Sequence, residues 1–212
     1  MNLLQTEPVL LQSLYWITLI AVVVSSASGV LKAGYKRFDL YGVVMIAITT
    51  GLGGGSLRDL LLDRPVFWVV DQGYFIASLL SALAIFLVAR LRRITADAFL
   101  IPDAAGLAAF GVAGTLAALM EGAPWLVASF MGVMTGTMGG VLRDVLSDEP
   151  PLVFQSTLYA TVCWAGSLLF IFLLEGGMGV TPAAILAGGA IFVARLVAIR
   201  YNLTLPRFTH HD

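Results

Sequence analysis

The chain has 212 residues, of which 59% are hydrophobic and only 12% are charged. A soluble globular domain carries roughly 25% charged residues, so this chain lacks the polar cover that water requires. The formal net charge of −1 excludes the strong positive field that is typical of a nucleic-acid-binding protein. The composition therefore predicts an integral membrane protein that is surrounded by lipid bilayer and has no nucleic-acid partner.

Seven apolar stretches approach the length of about 20 residues that a membrane-spanning helix needs. In chain order they cover residues 14–31, 40–62, 74–89, 99–119, 125–146, 152–174 and 182–199. No Lys or Arg precedes the first stretch and no clear cleavage site follows it, so we expect a retained span instead of a signal peptide. The connections are short and leave no room for a soluble domain.

Nine of the 12 basic residues fall on one predicted side of the membrane. They form three clusters: Lys32, Lys36 and Arg37; Arg90, Arg92 and Arg93; and Arg195, Arg200 and Arg207. Because Lys and Arg in short loops collect on the cytoplasmic side, this pattern predicts an outside N-terminus and a cytoplasmic C-terminus.

The strongest signal is an internal repeat at an offset of 85 residues. The segment GLGGGSLRD at 51–59 recurs as GTMGGVLRD at 136–144, and Asp63 and Pro65 recur as Asp148 and Pro150. Each copy lies at the end of the second span of a three-span set. Since three is odd, the second set starts from the opposite side of the membrane, and inverted repeats are typical of transport proteins.

The predicted fold is an all-α membrane protein with seven transmembrane helices, arranged as two inverted three-helix repeats and a seventh helix. We expect the first repeat at 1–98, the second, inverted repeat at 99–178, and the seventh helix with the C-terminal tail at 179–212.

The repeated glycines carry two alternative predictions. Each glycine weakens a helix by about 1 kcal/mol, so three in a row favour a break whose freed carbonyls line a water-filled path. The same spacing also fits the small-residue pattern that brings membrane helices close together. The candidates are Gly51, Gly53, Gly54, Gly55, Gly136, Gly139 and Gly140.

Charged residues inside membrane segments are costly and usually face a protein interior or a cavity. Arg58-Asp59 and Arg143-Asp144 therefore either line or gate a pore, or form structural ion pairs. The symmetry of the repeat predicts that the arginine of one repeat meets an aspartate of the other.

Two further charges are candidates for the same site. Lys32 ends the first span and either extends its ammonium to the interface or contributes to gating. Asp103 lies early in the fourth span and either attracts cations or caps the helix N-terminus. The sequence contains no metal-ligand spacing and no phosphate loop with its lysine, so we expect neither an enzyme nor a cofactor.

The motifs GLGGGSLRDLLLDRPVFW and GTMGGVLRDVLSDEP, set in seven spans, resemble the trimeric intracellular cation channel family. The resemblance is to its prokaryotic branch, which is also labelled a glycine transporter family, and it covers the chain to about Ile199. It implies a homotrimer in a prokaryotic plasma membrane, with a pore in each protomer between the two three-helix units.

The same resemblance implies that monovalent cations, mainly potassium, permeate, and that helices two and five bend at Gly53–Gly55 and Gly139–Gly140. Met138 replaces the glycine at the position of Gly53, which predicts a less pronounced bend in the second copy. One alternative is a secondary transporter of a small zwitterion such as glycine, because an Arg–Asp pair can hold a carboxylate and an ammonium. Another is a non-conducting assembly subunit.

Overall fold

The computed structural model describes residues 7–34, 36, 38–91, 95–155 and 158–206, and the side chains of Glu7 and Ala96 are not described. The helices are α1 Glu7–Ala33, α2 Leu40–Leu61, α3 Phe67–Val70, α4 Gln72–Leu91, α5 Leu100–Met120, α6 Trp125–Leu146, α7 Ala160–Glu175 and α8 Val180–Arg200. Short 3₁₀ turns occupy Ala96–Phe99 and Leu152–Phe154. Of the basic residues used to predict orientation, Arg37, Arg92, Arg93 and Arg207 lie outside the described residues.

Six of these helices are long and apolar enough to cross a membrane, and α7 is a shorter apolar helix of 16 residues. At 1.5 Å per residue α7 is about 24 Å long. The predicted helical membrane fold is confirmed, with two shifted starts. Helix α1 begins at Glu7, before the apolar stretch, whereas α7 begins only at Ala160. The Leu152 amide donates to the Asp144 carboxylate (3.0 Å), which holds the chain before α7 against the end of α6.

The first repeat consists of α1, α2 and α4, and the second consists of α5, α6 and α7. Helix α5 packs against α1, α6, α7 and α8. It is the most enclosed of the six long spans. In its apolar 18-residue segment 72% is buried, whereas the corresponding share for α4 is 17%. The interface between the repeats is formed mainly by α1 with α5 and α2 with α6.

The crossing of α2 and α6 shows the inverted symmetry directly. A Cβ built on Gly54 would lie under 3.0 Å from the Thr135 carbonyl oxygen, and a Cβ built on Gly139 would lie equally close to the Thr50 carbonyl oxygen. The offset of 85 residues relates Gly54 to Gly139 and Thr50 to Thr135, so the Gly54–Thr135 contact in one direction is the Gly139–Thr50 contact in the other. Exchanged contacts of this kind indicate a twofold relation, here between halves of one chain.

The predicted break at the glycine motifs is wrong. Helix α2 continues through Gly51–Gly55 and α6 continues through Gly136–Gly140. The neighbouring helix encloses these positions, and close packing outweighs the cost of about 1 kcal/mol per glycine. The chain leaves the helices later, where Asp63 and Asp148 have φ values of 51° and 52°.

Candidate functional site

The repeated glycines all lie where another chain segment approaches closely. A Cβ on Gly51 would clash with the Ser26 hydroxyl, one on Gly53 with the Leu142 side chain, and one on Gly55 with the Phe67 ring. In the second repeat, a Cβ on Gly136 would lie 3.0 Å from the Leu107 carbonyl oxygen, and one on Gly140 would lie 3.3 Å from the Tyr159 hydroxyl. These contacts support the close-packing role, and a pore-lining role remains a prediction.

The first arginine site lies at the end of α2. Arg58 is 2% exposed and donates from Nε to Asp59 Oδ1 at 2.8 Å. The other oxygen of Asp59 accepts from the Phe67 amide at 2.9 Å, so one carboxylate holds both the guanidinium and the start of α3. The Arg58 guanidinium lies 5.5 Å from the centre of the Phe67 ring, and Arg64 Nε lies 3.4 Å from Asp59 Oδ1.

The second arginine site repeats this arrangement at the end of α6. Arg143 donates from Nε to Asp144 Oδ1 at 2.8 Å, and Asp144 Oδ2 accepts from the Leu152 amide at 3.0 Å. Arg143 Nη1 also donates to Asp103 Oδ1 and to Ser28 Oγ, each at 2.6 Å. The second arginine therefore faces two carboxylates and a hydroxyl, all of them buried.

The prediction that each arginine meets an aspartate of the opposite repeat is wrong. Both arginines pair with the next residue in the chain, and Asp103 belongs to the same repeat as Arg143. The physical reason is local: each carboxylate must also hold the amide of the turn that follows its helix. The link from Arg143 to the other repeat is its hydrogen bond to Ser28 of α1.

Asp103 and Lys32 take part in charged pairs near the same end of the molecule. Asp103 accepts from Arg143, and among the described residues no side chain forms a capping bond at the start of α5, so the capping role is not supported. Lys32 pairs with Glu149 and lies 4.5 Å from the centre of the Phe99 ring. Lys36 Nζ lies 3.2 Å from Glu149 as well.

The pKa of Glu149 is lowered from its ordinary value of 4.5, chiefly by the hydrogen bond from Lys32 and, against a smaller effect of burial, by Lys36. Lys32 lies in the last turn of α1 and Lys36 lies just after that helix, whereas Glu149 follows α6. The ion pairs therefore connect the two repeats.

Three side chains at the site were not identified from the sequence. Tyr74 and Tyr159 are related by the same offset of 85, and each lies beside its arginine site. The ring centres of Tyr74 and Phe67 lie 4.9 Å apart, and a Cβ on Gly140 would lie within 3.6 Å of Tyr159 Oη, Arg143 Nη2 and Asp103 Oδ1. Applying the offset of 85 residues to Tyr74 would have identified the pair from the sequence. Arg195 is 1% exposed inside α8 and donates to the Leu158 carbonyl at 3.0 Å. Counting Arg195 among the loop charges was wrong, because it lies more than one turn before the end of its helix.

Small hydroxyl side chains fill the interface between the repeats. Thr50 and Thr135 lie at the crossing of α2 and α6, and each donates to the carbonyl four residues earlier, at 2.6 and 2.7 Å. Ser28 of α1 reaches across to Arg143 of α6, whereas the buried hydroxyl pair of Ser26 and Ser78 at 2.8 Å lies inside the first repeat, between α1 and α4. The crossing of α2 and α6 is therefore lined by hydroxyl groups, although it lies inside a bundle of apolar helices.

Comparison with known proteins gives consistent matches along the chain. A family model described as "Glycine transporter" matches residues 15–90 and again 100–175, once in each repeat. The UPF0126 inner membrane protein YadS of Escherichia coli (strain K12) is 38% identical over 197 residues, covering 92% of this chain and 95% of that protein. A UPF0126 membrane protein of Vibrio cholerae is 39% identical, covering 92% of this chain and 82% of that protein.

Solved structures agree with these relatives. The trimeric intracellular cation (TRIC) channel orthologue from Rhodobacter sphaeroides is 34% identical with a TM-score of 0.85, covering 90% of this chain and 98% of that one. A TRIC cation channel studied for its conductance is 30% identical with a TM-score of 0.82, covering 92% and 97%. The chain is an integral membrane protein and belongs to the trimeric intracellular cation channel family, in the prokaryotic branch that also carries the glycine transporter label.

Proposed function

We propose that this protein is a monovalent cation channel that conducts potassium along a path between the two inverted repeats of each protomer. The observation that carries the proposal is the polar crossing of α2 and α6, where buried hydroxyls meet inside an apolar bundle and a buried arginine–aspartate pair follows about one turn later on each helix. Solved relatives at 34% and 30% identity are named as cation channels.

In this conformation the proposed path is closed at the crossing. Thr50 and Thr135 are 2% and 1% exposed, and Gly54 and Gly139 bring the two helix backbones together. Opening requires α2 and α6 to separate here. Glycines have no side chains that interlock with the opposite helix. The free energy needed to separate α2 and α6 at this point is therefore smaller than for two helices with interlocking large side chains.

The chemistry of the lining favours monovalent over divalent cations. Calcium takes six to eight oxygen ligands, usually with several carboxylates. At the arginine sites each carboxylate is already paired with a guanidinium. Within the part of the chain that the structure describes, no group of three or more His, Cys, Asp or Glu side chains converges on a metal-sized position. Hydroxyl and carbonyl oxygens suit a weakly held potassium ion.

The proposal includes a homotrimer in a bacterial inner membrane, with the N-terminus outside and the C-terminus in the cytoplasm. Related channels are named as trimeric, and the YadS relative is named as an inner membrane protein. Among the described residues, Lys32, Lys36, Arg90 and Arg200 lie at or just after the ends of α1, α4 and α8. Those ends share one side of the membrane, and basic residues favour the cytoplasmic side.

Potassium flux into proteoliposomes tests the function. We expect fast, non-saturating flux for the wild type and altered flux for Arg58→Ala and Arg143→Ala. Arg58→Lys and Arg143→Lys keep the positive charge. Comparing them with the alanine variants separates an effect of the lost charge on flux from an effect of poor folding. Arg90→Ala removes an exposed arginine at the end of α4 and serves as the matched control.

Radiolabelled glycine uptake is measured on the same vesicles. Saturable glycine uptake without potassium flux contradicts the channel and makes the arginine sites part of a substrate site. Absence of both activities from correctly folded protein supports an assembly subunit instead.

A further inference from the structure

The two arginine sites differ at one pair of positions related by the internal repeat. Asp103 supplies the second carboxylate to Arg143, and the residue 85 positions earlier is Thr18. Among the described residues, neither Arg58 Nη1 nor Thr18 Oγ1 has a hydrogen-bond partner, although both residues are only 2% exposed. These two atoms, without hydrogen-bond partners, therefore occupy the positions that correspond to the bonded pair of Arg143 Nη1 and Asp103 Oδ1 in the second repeat.

The register of the helices supports this equivalence. A Cβ on Gly51 would lie 3.0 Å from the Val22 carbonyl, and a Cβ on Gly136 would lie 3.0 Å from the Leu107 carbonyl, so α1 and α5 carry the same register. Thr18 and Asp103 each lie four residues before these carbonyls, one turn earlier on the same helix face.

The wall around the first site is aromatic. The rings of Tyr15 and Tyr74 lie 5.2 Å apart, those of Phe67 and Tyr74 lie 4.9 Å apart, and the Arg58 guanidinium lies over Phe67. This wall excludes bulk water from the guanidinium, which increases the cost of leaving its charge and its hydrogens uncompensated.

The two unpartnered groups are suited to an anion. A guanidinium only donates hydrogen bonds, and a threonine hydroxyl is able to donate. The side chain of threonine is shorter than that of aspartate and carries no charge, so it does not replace the carboxylate that Arg143 receives from Asp103. We propose that the first repeat binds one small monovalent anion, chloride, between Arg58 Nη1 and Thr18 Oγ1, in the position that the Asp103 carboxylate holds in the second repeat.

The local charge favours an anion over a neutral water molecule. Asp59 faces two guanidinium groups, with Arg58 Nε at 2.8 Å and Arg64 Nε at 3.4 Å. Arg64 also pairs with the exposed Glu121 at 3.2 Å, whereas among the described residues Arg58 forms an ion pair with Asp59 alone. Arg143, by contrast, lies between two carboxylates. Its Nη2 atom also lacks a partner, but that guanidinium is already flanked by two negative groups. A bound chloride gives Arg58 the same arrangement.

The first test is the thermal unfolding midpoint of purified protein in potassium chloride and in potassium gluconate at equal ionic strength. We expect a higher midpoint in chloride for the wild type, and no such difference for Thr18→Asp, because the new carboxylate takes the place of the ion. Asp103→Thr creates a second site of the same kind, so its chloride dependence becomes steeper. Thr137→Val is the control for losing a buried threonine hydroxyl and keeps the wild-type difference.

The second test does not require any variant to fold. Crystals grown in potassium bromide are expected to give an anomalous scattering peak between Arg58 and Thr18. A wild-type midpoint that is the same in chloride and gluconate, a difference that survives in Thr18→Asp, or a water molecule without anomalous signal at this position overturns the proposal. None of these readouts uses potassium flux, so the anion site and the proposed channel activity fail or succeed separately.

Discussion

The ends of α2 and α6 carry the same arginine–aspartate arrangement in different surroundings. The Nε–Oδ1 distance is 2.8 Å in both, and each aspartate holds the amide eight residues later, at 2.9 and 3.0 Å. Within the described parts of the chain, Arg143 has a second carboxylate and Arg58 does not, because Thr18 lies where the second repeat has Asp103. The arginine–aspartate pair and its bond to the following turn are thus the same in both repeats, whereas the charge supplied by the neighbouring helix differs.

The largest expected difference concerns the aspartate next to each arginine. Asp59→Asn leaves the buried Arg58 without its nearest carboxylate, and breaking a buried ion pair in this way costs about 3–5 kcal/mol. Asp144→Asn leaves Arg143 paired with Asp103, so we expect the smaller cost of a weakened buried hydrogen bond, about 1–3 kcal/mol. Thermal unfolding in chloride-free buffer measures both.

Equal losses of stability in these two variants would show that Asp103 does not compensate for Asp144. Asp71→Asn is a useful control, since Asp71 accepts from the Gly73 amide in the first turn of α4 and, among the described residues, forms no ion pair with an arginine. Its effect should be smaller than that of Asp59→Asn.

The glycines at the crossing should behave alike, in contrast to the arginine sites. A methyl group on Gly54 or Gly139 meets the backbone carbonyl of Thr135 or Thr50, and backbone atoms give way less easily than side chains. We expect each alanine variant to lose about 1–3 kcal/mol, the usual cost of overpacking. Gly189→Ala is the control, because no atom of the described residues lies within 4 Å of a Cβ there. Unequal losses would contradict the twofold relation of the crossing.

The smallest expected effect concerns Glu149, which binds Lys32 and Lys36 across the repeats. Its pKa is lowered in the folded protein, chiefly by Lys32. The ion pair therefore stabilises the fold above the ordinary glutamate pKa of 4.5 and loses this contribution as the pH falls through the lowered value. At this partly exposed position the contribution is at most about 1 kcal/mol.

The difference between the unfolding midpoints of wild type and Glu149→Gln measures this contribution. We expect it to be positive at pH 7 and to vanish in acid, whereas Glu175→Gln, at the exposed end of α7, reports on the general effect of pH. A Glu149→Gln difference that persists unchanged in acid would contradict the assignment.

Much of the fold was predictable, because hydrophobic length and the offset of 85 residues determine the spans and their inversion. The helix break was not, because glycine propensity carries no information about the neighbouring backbone that encloses Gly54 and Gly139. The inter-repeat pairing was wrong for a similar reason. Symmetry alone does not reveal that Asp59 and Asp144 must hold the amides of Phe67 and Leu152.

Applying the offset to every residue would have predicted more of the site. It pairs Tyr74 with Tyr159 and contrasts Thr18 with Asp103. Arg195 has no counterpart, since α8 lies outside both repeats. Its contact with the Leu158 carbonyl depends on how α8 packs, which no repeat pattern specifies.

The central claim is that cations pass between α2 and α6 at their crossing, and cysteine modification tests it most directly. Potassium currents through planar bilayers are recorded before and after adding a cationic thiol reagent to Thr135→Cys and to Phe172→Cys. Phe172 is 70% exposed on the outer surface of α7, and the native Cys163 is fully buried.

We predict that the reagent blocks the current of Thr135→Cys and leaves wild type and Phe172→Cys unchanged. The same current through a Thr135→Cys protein shown by mass spectrometry to be modified, or an equal block of Phe172→Cys, would contradict a conduction path at the crossing.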